Sequence, residues 1–181
     1  DPIRINGNQA RAKVIGEGAN LGVTQAGRIE YARAGGRINT DAIDNSAGVD
    51  SSDNEVNIKI LLGAAIEQGE LKKTDRDDLL ASMTDEVAEL VLAHNYDQTG
   101  AMSVAEMRTR LDHDAYERLM TSLSAKGVLN RAVEGLPEKE GMEALAASNL
   151  SLTRPEISVL FAYAKNRLFD EMIQTDVADD P

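Results

Sequence analysis

The residues best suited to chemistry in this sequence are small and polar, and they gather at positions 41–57. There Asp41, Asp44, Asn45, Ser46, Ser51, Ser52 and Asp53, with Gly48 among them, stand between two apolar segments. Carboxamides, hydroxyls and carboxylates at that density suit hydrogen bonding to a polar ligand better than they suit a core. Ser52 also fits a second role, because Ser52 and Glu55 have the Ser-x-x-Glu spacing of a capping box. Its hydroxyl therefore either closes a helix end or meets a ligand, and the sequence leaves both open. A second group, Gly16-x-Gly18-x-x-x-Gly22, has glycines where a backbone could approach a pyrophosphate. The third glycine falls one position late for a dinucleotide fingerprint, so a ligand-lining loop of another kind is the better reading, and a tight turn needs no ligand to explain its glycines. The chain has no Cys, which removes thiolate chemistry and Cys-based metal sites. Its two histidines are His94 and His113. His94 has no second ligand at i+3 or i+4 and reads as an ordinary helix residue. No metal ligand and no catalytic residue is assigned.

The elements that must position these groups are read from periodicity and breakers. Residues 11–16 have the pattern of a short strand and residues 17–24 that of a loop. A helix then follows from an N-cap at Thr24 through Ile29, Ala32 and Arg33, stopped by Gly35 and Gly36. Residues 37–40 read as a second strand, completing a βαβ unit with parallel pairing in which Ile15 and Ile38 are neighbours. The polar segment then forms a turn at the carboxyl end of that strand, where open α/β sheets bind ligands. A helix capped by Ser52 follows it, carrying Val56, Ile60 and Ala64 at helical spacing to a stop near Gly69.

Downstream the pattern is helical throughout. Helix starts are expected at Thr74, at Thr84 and at Asp112, the last running to Gly127, with a short element at 130–135 and another helix opened by Pro137. The final helix has Thr153 as N-cap, Pro155 in the first turn, Glu156 facing the dipole, and Ile157, Leu160, Phe161, Ala164, Leu168 and Met172 as one apolar stripe. That stripe marks a core helix or one that docks on something larger.

A chain of 181 residues is long enough for one core or two small ones. At that size folding buries roughly 70% of the surface that the unfolded chain exposes. The formal charge of −12 and the absence of a Lys/Arg cluster argue against a nucleic-acid partner. No apolar run is long enough for a membrane span and no secretory pattern opens the chain, so a cytoplasmic location is expected. Two strands cannot cover both faces of a parallel sheet, so the sequence reads as a piece of a longer enzyme.

Residues 13–24, with Glu17-Gly-Ala-Asn20 at their centre, and residues 37–60 closely resemble the large bacterial NAD-specific glutamate dehydrogenases. The stretch Leu152-Thr-Arg-Pro-Glu-Ile157 resembles the same family's C-terminal region. The resemblance implies a fold that is mostly α with a small α/β part. Residues 1–70 would be the truncated end of a Rossmann-like dinucleotide-binding domain with its return helix, and residues 71–181 a helical C-terminal domain. It implies NAD as cofactor, with Asn20 beside the nicotinamide ribose and Asn45 as partner of the carboxamide. Ser52 falls where the family places a Ser that meets the side-chain carboxylate of glutamate. The sequence departs from the small enzymes of the superfamily at Ala47, where they carry Gly, and at Asp53 and Asn54, where they carry aromatic residues. The implied reaction is oxidative deamination of L-glutamate to 2-oxoglutarate and ammonia by a homo-oligomer. The implied proton-handling Lys and Asp lie upstream, leaving this piece inactive alone. A helical interaction module and a non-enzymatic small-molecule-binding domain are the alternative readings.

Overall fold

The computed structural model describes residues 4–18 and 22–179, which are mostly helical. After a 3-10 turn at Gly7–Gln9, the helices among the described residues are α1 (Gln25–Arg33), α2 (Asp41–Asp44), α3 (Ser46–Glu67), α4 (Arg76–Ser82) and α5 (Thr84–Leu111). They continue with α6 (His113–Ala125), α7 (Arg131–Glu134), α8 (Lys139–Ala147) and α9 (Arg154–Met172), before a last 3-10 turn at Asp176–Asp179.

The two expected strands are reduced to one parallel bridge between Val14 and Arg37. Ile15 N donates to Arg37 O at 2.9 Å and Arg37 N donates to Lys13 O at 3.1 Å. The expected direction of pairing is therefore present, while the ladder is not. A parallel pair needs further strands and helices on both faces to be stable. Here Val14 is 64% exposed while only Ile38, at 3%, turns into the interior. What joins the bridge to α1 is Tyr31, buried beneath it with its hydroxyl donating to Ala12 O at 2.7 Å. Gly36 makes this possible, since a Cβ there would run into the Tyr31 ring.

The polar segment is helix, not turn. Its first residues form α2, with Asp41 and Asp44 at the positive end of the dipole, and everything from Ser46 onward belongs to α3. The hydroxyls and amides that suggested a turn bond back along the helix instead. Ser51 Oγ donates to Ala47 O at 2.7 Å. Ser52 Oγ donates to Gly48 O at 3.2 Å, and Asn54 Nδ2 to Asp50 O at 2.9 Å. Ser52 therefore lies inside α3 and does not cap it. The apolar face expected for this helix is mostly open, with Val56 and Ile60 52% and 67% exposed and Leu62 its one buried hydrophobic residue.

The other helix ends follow local chemistry. Thr24 Oγ1 accepts from Gly27 N, Asp112 Oδ1 from Ala115 N and Asn130 Oδ1 from Val133 N. Gly35, Gly69, Gly127 and Gly135 end their elements at positive φ. Thr74 is the exception, because α4 starts at Arg76 and the Thr74 hydroxyl donates to Asp75. At the head of α9, Thr153 N donates to Glu156 Oε2 at 2.6 Å in a capping box.

The core lies between α5, α6, α8 and α9, where Met102, Met120, Leu123, Met142, Ile157 and Leu160 are buried and Ile43 of α2 joins them. Of the expected α9 stripe only Ile157 and Leu160 are buried, while Leu168 and Met172 are 58% and 46% exposed. The second half of α9 runs past the helices that cover its first half.

Candidate functional site

Between the bridge and α2, buried charged groups do what hydrophobic residues do elsewhere. Glu17 opens the loop whose other end is Val23, and one carboxylate oxygen, Oε1, accepts Val23 N at 2.9 Å. The other, Oε2, accepts Arg28 Nε of α1 at 2.6 Å, with the two side chains 3% and 6% exposed. Arg28 reaches on to Asp41 Oδ1 of α2 at 3.1 Å. The backbone of Glu17 is held from below as well, its N–H donating to Asp44 Oδ2 at 3.0 Å, while Asp44 Oδ1 accepts Asn39 Nδ2 at 2.8 Å. Charged pairs taken out of water are costly unless their remaining hydrogen-bonding positions are filled, and here both carboxylate oxygens of Glu17 are used. The loop is thus clamped at its base from two directions.

Asn20, the first of the expected cofactor residues, lies outside the described residues. Asn45 is half-buried at the junction of α2 and α3, with φ −103° and ψ 13°, and its side chain makes no helix-cap hydrogen bond. A Cβ on Gly48 would lie 3.0 Å from Asn45 Oδ1, so glycine there leaves the carboxamide its room. That carboxamide stands one residue after Asp44, which holds Glu17, so α2 joins the junction to the loop base. Ser52 is exposed on α3, two helical turns beyond Asn45. Two turns of helix rise separate such residues by about 10 Å. The two residues share one face of α3, and no direct contact joins them.

Two cavities flank these elements. One of about 930 Å³ lies between the bridge and the helical core, reached by Ile15, Arg37, Asn39, Asp44, Glu106 and Arg154. The other, about 690 Å³, lies between α3, α5 and α9, with Ser46, Asp50, Asp53, His94 and Lys165 in its wall. Neither is lined by Asn45 or Ser52. His94 is an exposed residue of α5, pairing through Nδ1 with Asp50 Oδ2 at 2.9 Å. Among the described residues no cluster of three or more His, Asp or Glu side chains is placed to hold a metal ion.

Sequence reasoning missed the Glu17–Arg28 pair, and it read Asp41 and Asp44 as groups for a ligand where the structure has them holding Arg28 and the Glu17 backbone. One signal was present. Arg28 stands three residues before Tyr31 on the inner face of α1, a charge where an apolar side chain was due, and such a residue needs a buried partner.

Comparison with known proteins adds the following. The family model described as "Bacterial NAD-glutamate dehydrogenase, catalytic domain" matches residues 1–105, and the one described as "Glutamate dehydrogenase, C-terminal" matches residues 149–181. The chain is 48% identical over 181 residues to a protein of Halomonas elongata named NAD-specific glutamate dehydrogenase. It is 47% identical over 180 residues to the protein of that name from Pseudomonas aeruginosa, and 47% identical over 179 residues to that from Mycobacterium tuberculosis. These alignments take in 99 to 100% of this chain and 11% of each relative. The chain spans about a ninth of the length of the curated relatives it matches.

Proposed function

Because the chain belongs to the bacterial NAD-glutamate dehydrogenase family, we propose that it works as part of a longer enzyme that oxidises L-glutamate with NAD+ and water to 2-oxoglutarate, ammonium, NADH and a proton. The observation that carries the proposal is identity of 47 to 48% sustained along the whole chain rather than in one motif. In this reading residues 1–70 are the end of a Rossmann-like dinucleotide-binding domain with its return helix and residues 71–181 the helical C-terminal domain. The parallel direction of the Val14–Arg37 bridge supports the first assignment. The enzyme is cytoplasmic and homo-oligomeric in the same reading. Among the described residues no helix is long and apolar enough to cross a membrane, and the open apolar faces of α3 and α9 leave surface for assembly.

NAD supplies the hydride acceptor when bound. What this chain contributes is position: Asn20 beside the nicotinamide ribose, Asn45 offering its carboxamide, and Ser52 offering its hydroxyl to the substrate's side-chain carboxylate. For Asn45 the reading is supported by Gly48, which leaves the carboxamide room, and by the absence of a helix-cap hydrogen bond from its side chain. Holding reactants in near-attack geometry accounts for a large part of such a barrier, and half of the cleft is not enough to do it.

The test is NADH formation by the full-length enzyme. Glutamate-dependent reduction of NAD is expected, with none from the 181-residue chain alone. Asn45→Ala in the full-length enzyme should lower kcat/KM for NAD by about tenfold, the worth of one well-placed hydrogen bond. A full-length enzyme that forms no NADH with glutamate would overturn the proposal.

A further inference from the structure

We propose that Arg154, at the head of α9, is a positioning residue for the cofactor wall, acting through Asn39 and Asp44 on the backbone of Glu17. The inference rests on the functional reading above and gives the helical domain a part in it.

Arg154 Nε donates to Asn39 Oδ1 at 2.8 Å, while NH1 donates to Ser103 Oγ at 3.1 Å and Glu106 Oε2 at 3.3 Å on α5. One planar guanidinium therefore joins α9 and α5 to the segment that follows the bridge. The bond to Arg154 also orients Asn39. With its oxygen facing a guanidinium, which can only donate, the amide must turn its NH₂ the other way, and Nδ2 donates to Asp44 Oδ1. Asp44 uses its second oxygen to accept Glu17 N, and Glu17 Oε1 takes Val23 N at the far end of the loop that contains Asn20. Asp44 also directly precedes Asn45. The relay thus ends at Glu17 and at the residue before Asn45, the described residue assigned to the cofactor.

Its other end is firm. The Thr153–Glu156 capping box fixes the start of α9, and Ile157 and Leu160, 1% and 2% exposed, seat the next turn in the core. A flexible ammonium cannot reproduce a planar fork that reaches Asn39 on one side and α5 on the other. The same junction also holds a useful contrast. Arg33 of α1 donates to Ser151 O at 2.6 Å and Glu156 Oε2 at 3.3 Å, tying α1 to the head of α9 by bonds that do not pass through Asn39, Asp44 or Glu17.

The experiment is steady-state kinetics of the full-length enzyme with NAD varied at saturating glutamate, alongside thermal melting. Arg154→Ala, Arg154→Lys and Asn39→Ala should each lower kcat/KM for NAD by about tenfold or more, as small misplacements of reacting groups do. Arg154→Ala and Asn39→Ala combined should lose little more than the larger single loss, because both cut one link. Arg33→Ala should lower the melting temperature and cost kcat/KM for NAD clearly less than Arg154→Lys does, since Arg33 bonds Ser151 and Glu156 beside the relay and none of Asn39, Asp44 or Glu17. If Arg154→Ala does not fold, Arg154→Lys and Asn39→Ala decide. An active wild type whose Arg154→Lys and Asn39→Ala forms keep kcat/KM for NAD, or whose Arg33→Ala form loses as much, overturns this inference and leaves the functional reading standing. A wild type without glutamate-dependent NADH formation overturns both.

Discussion

Around the 17–23 loop the buried side chains that join one element to another include the charged pair Glu17 and Arg28, with Asp41 at their edge, whereas between α5, α6, α8 and α9 they are chiefly Met102, Met120, Leu123, Met142, Ile157 and Leu160. The two solutions differ in what they specify. Apolar burial is non-directional and holds helices together through many small contacts, so the helical region tolerates small shifts of one helix on another. A buried ion pair with filled hydrogen-bonding positions holds only in one geometry and is costly in any other. The directional solution fixes Glu17 and Val23 against α1 and α2, and the adaptable one serves where only cohesion is required. Val14 and Arg37 are joined by a single bridge and not by a ladder, so orientation there rests on the side chains.

The sharpest way to break this comparison is to remove Arg28. Arg28→Ala leaves the Glu17 carboxylate buried without its cation and should cost about 3–5 kcal/mol in urea unfolding. Arg28→Met with Glu17→Gln should recover most of that loss, because both charges then leave together and the Gln oxygen can still accept Val23 N. If Arg28→Ala costs under about 1 kcal/mol, the level of an exposed pair, the charged cluster does not hold the loop and the contrast between the regions fails.

A smaller effect is expected from a largely buried ion pair within the helical region. Arg131 of α7 makes a two-pronged contact with Glu117 of α6, NH1 to Oε2 at 2.8 Å and NH2 to Oε1 at 3.0 Å, and also donates to Pro137 O. The hydrogen bond from Arg131 holds the Glu117 carboxyl below its ordinary value of 4.5, against the opposing effect of burial. A carboxyl lowered by folding contributes stability above its unfolded value and loses it as pH falls through the folded one. Glu117→Gln should therefore cost about 1.5–3 kcal/mol near neutral pH. The gap to wild type should narrow as the pH falls below 4.5, as read from urea midpoints across that range. A gap that stays constant with pH would mean that the pair contributes by shape alone.

Helix ends were legible in the sequence because their causes are local: Thr24, Asp112, Asn130 and Thr153 each satisfy an N–H within a few residues, and Gly35, Gly69, Gly127 and Gly135 supply the backbone that stops a helix. Two things were not. Whether residues 11–16 and 37–40 make a ladder or a single bridge depends on neighbours that neither segment contains. Ser and Asn side chains at 41–57 can either cap a helix or donate to the carbonyl four residues back, and composition alone does not distinguish the two. At the candidate site, the roles of Asn45 and Ser52 are read from resemblance alone. The Glu17–Arg28 pair escaped because one partner is in a loop and the other on a helix, and no periodicity links them.

Ser52→Ala is the mildest change and the most discriminating. Ser52 sits exposed inside α3 with its hydroxyl on Gly48 O, so its loss removes no cap. Alanine is the better helix former, and stability should be unchanged or rise by up to about 0.5 kcal/mol. The Gly48 carbonyl keeps its backbone hydrogen bond from Ser52 N in either case, so the hydroxyl's single proton is free to turn toward a carboxylate at little cost to the helix. Any kinetic change in the full-length enzyme is then a ligand effect and not an echo of instability. If the hydroxyl meets the side-chain carboxylate of glutamate, Ser52→Ala should lower kcat/KM for glutamate by about 1.5–3 kcal/mol in barrier terms. The loss should shrink for a substrate of equal length without that carboxylate, since the bond was never open to it. Affinity for NAD should hold. Should kcat/KM for glutamate stay within about twofold, less than one ordinary hydrogen bond is worth, Ser52 is a helix residue only and the substrate anchor lies elsewhere.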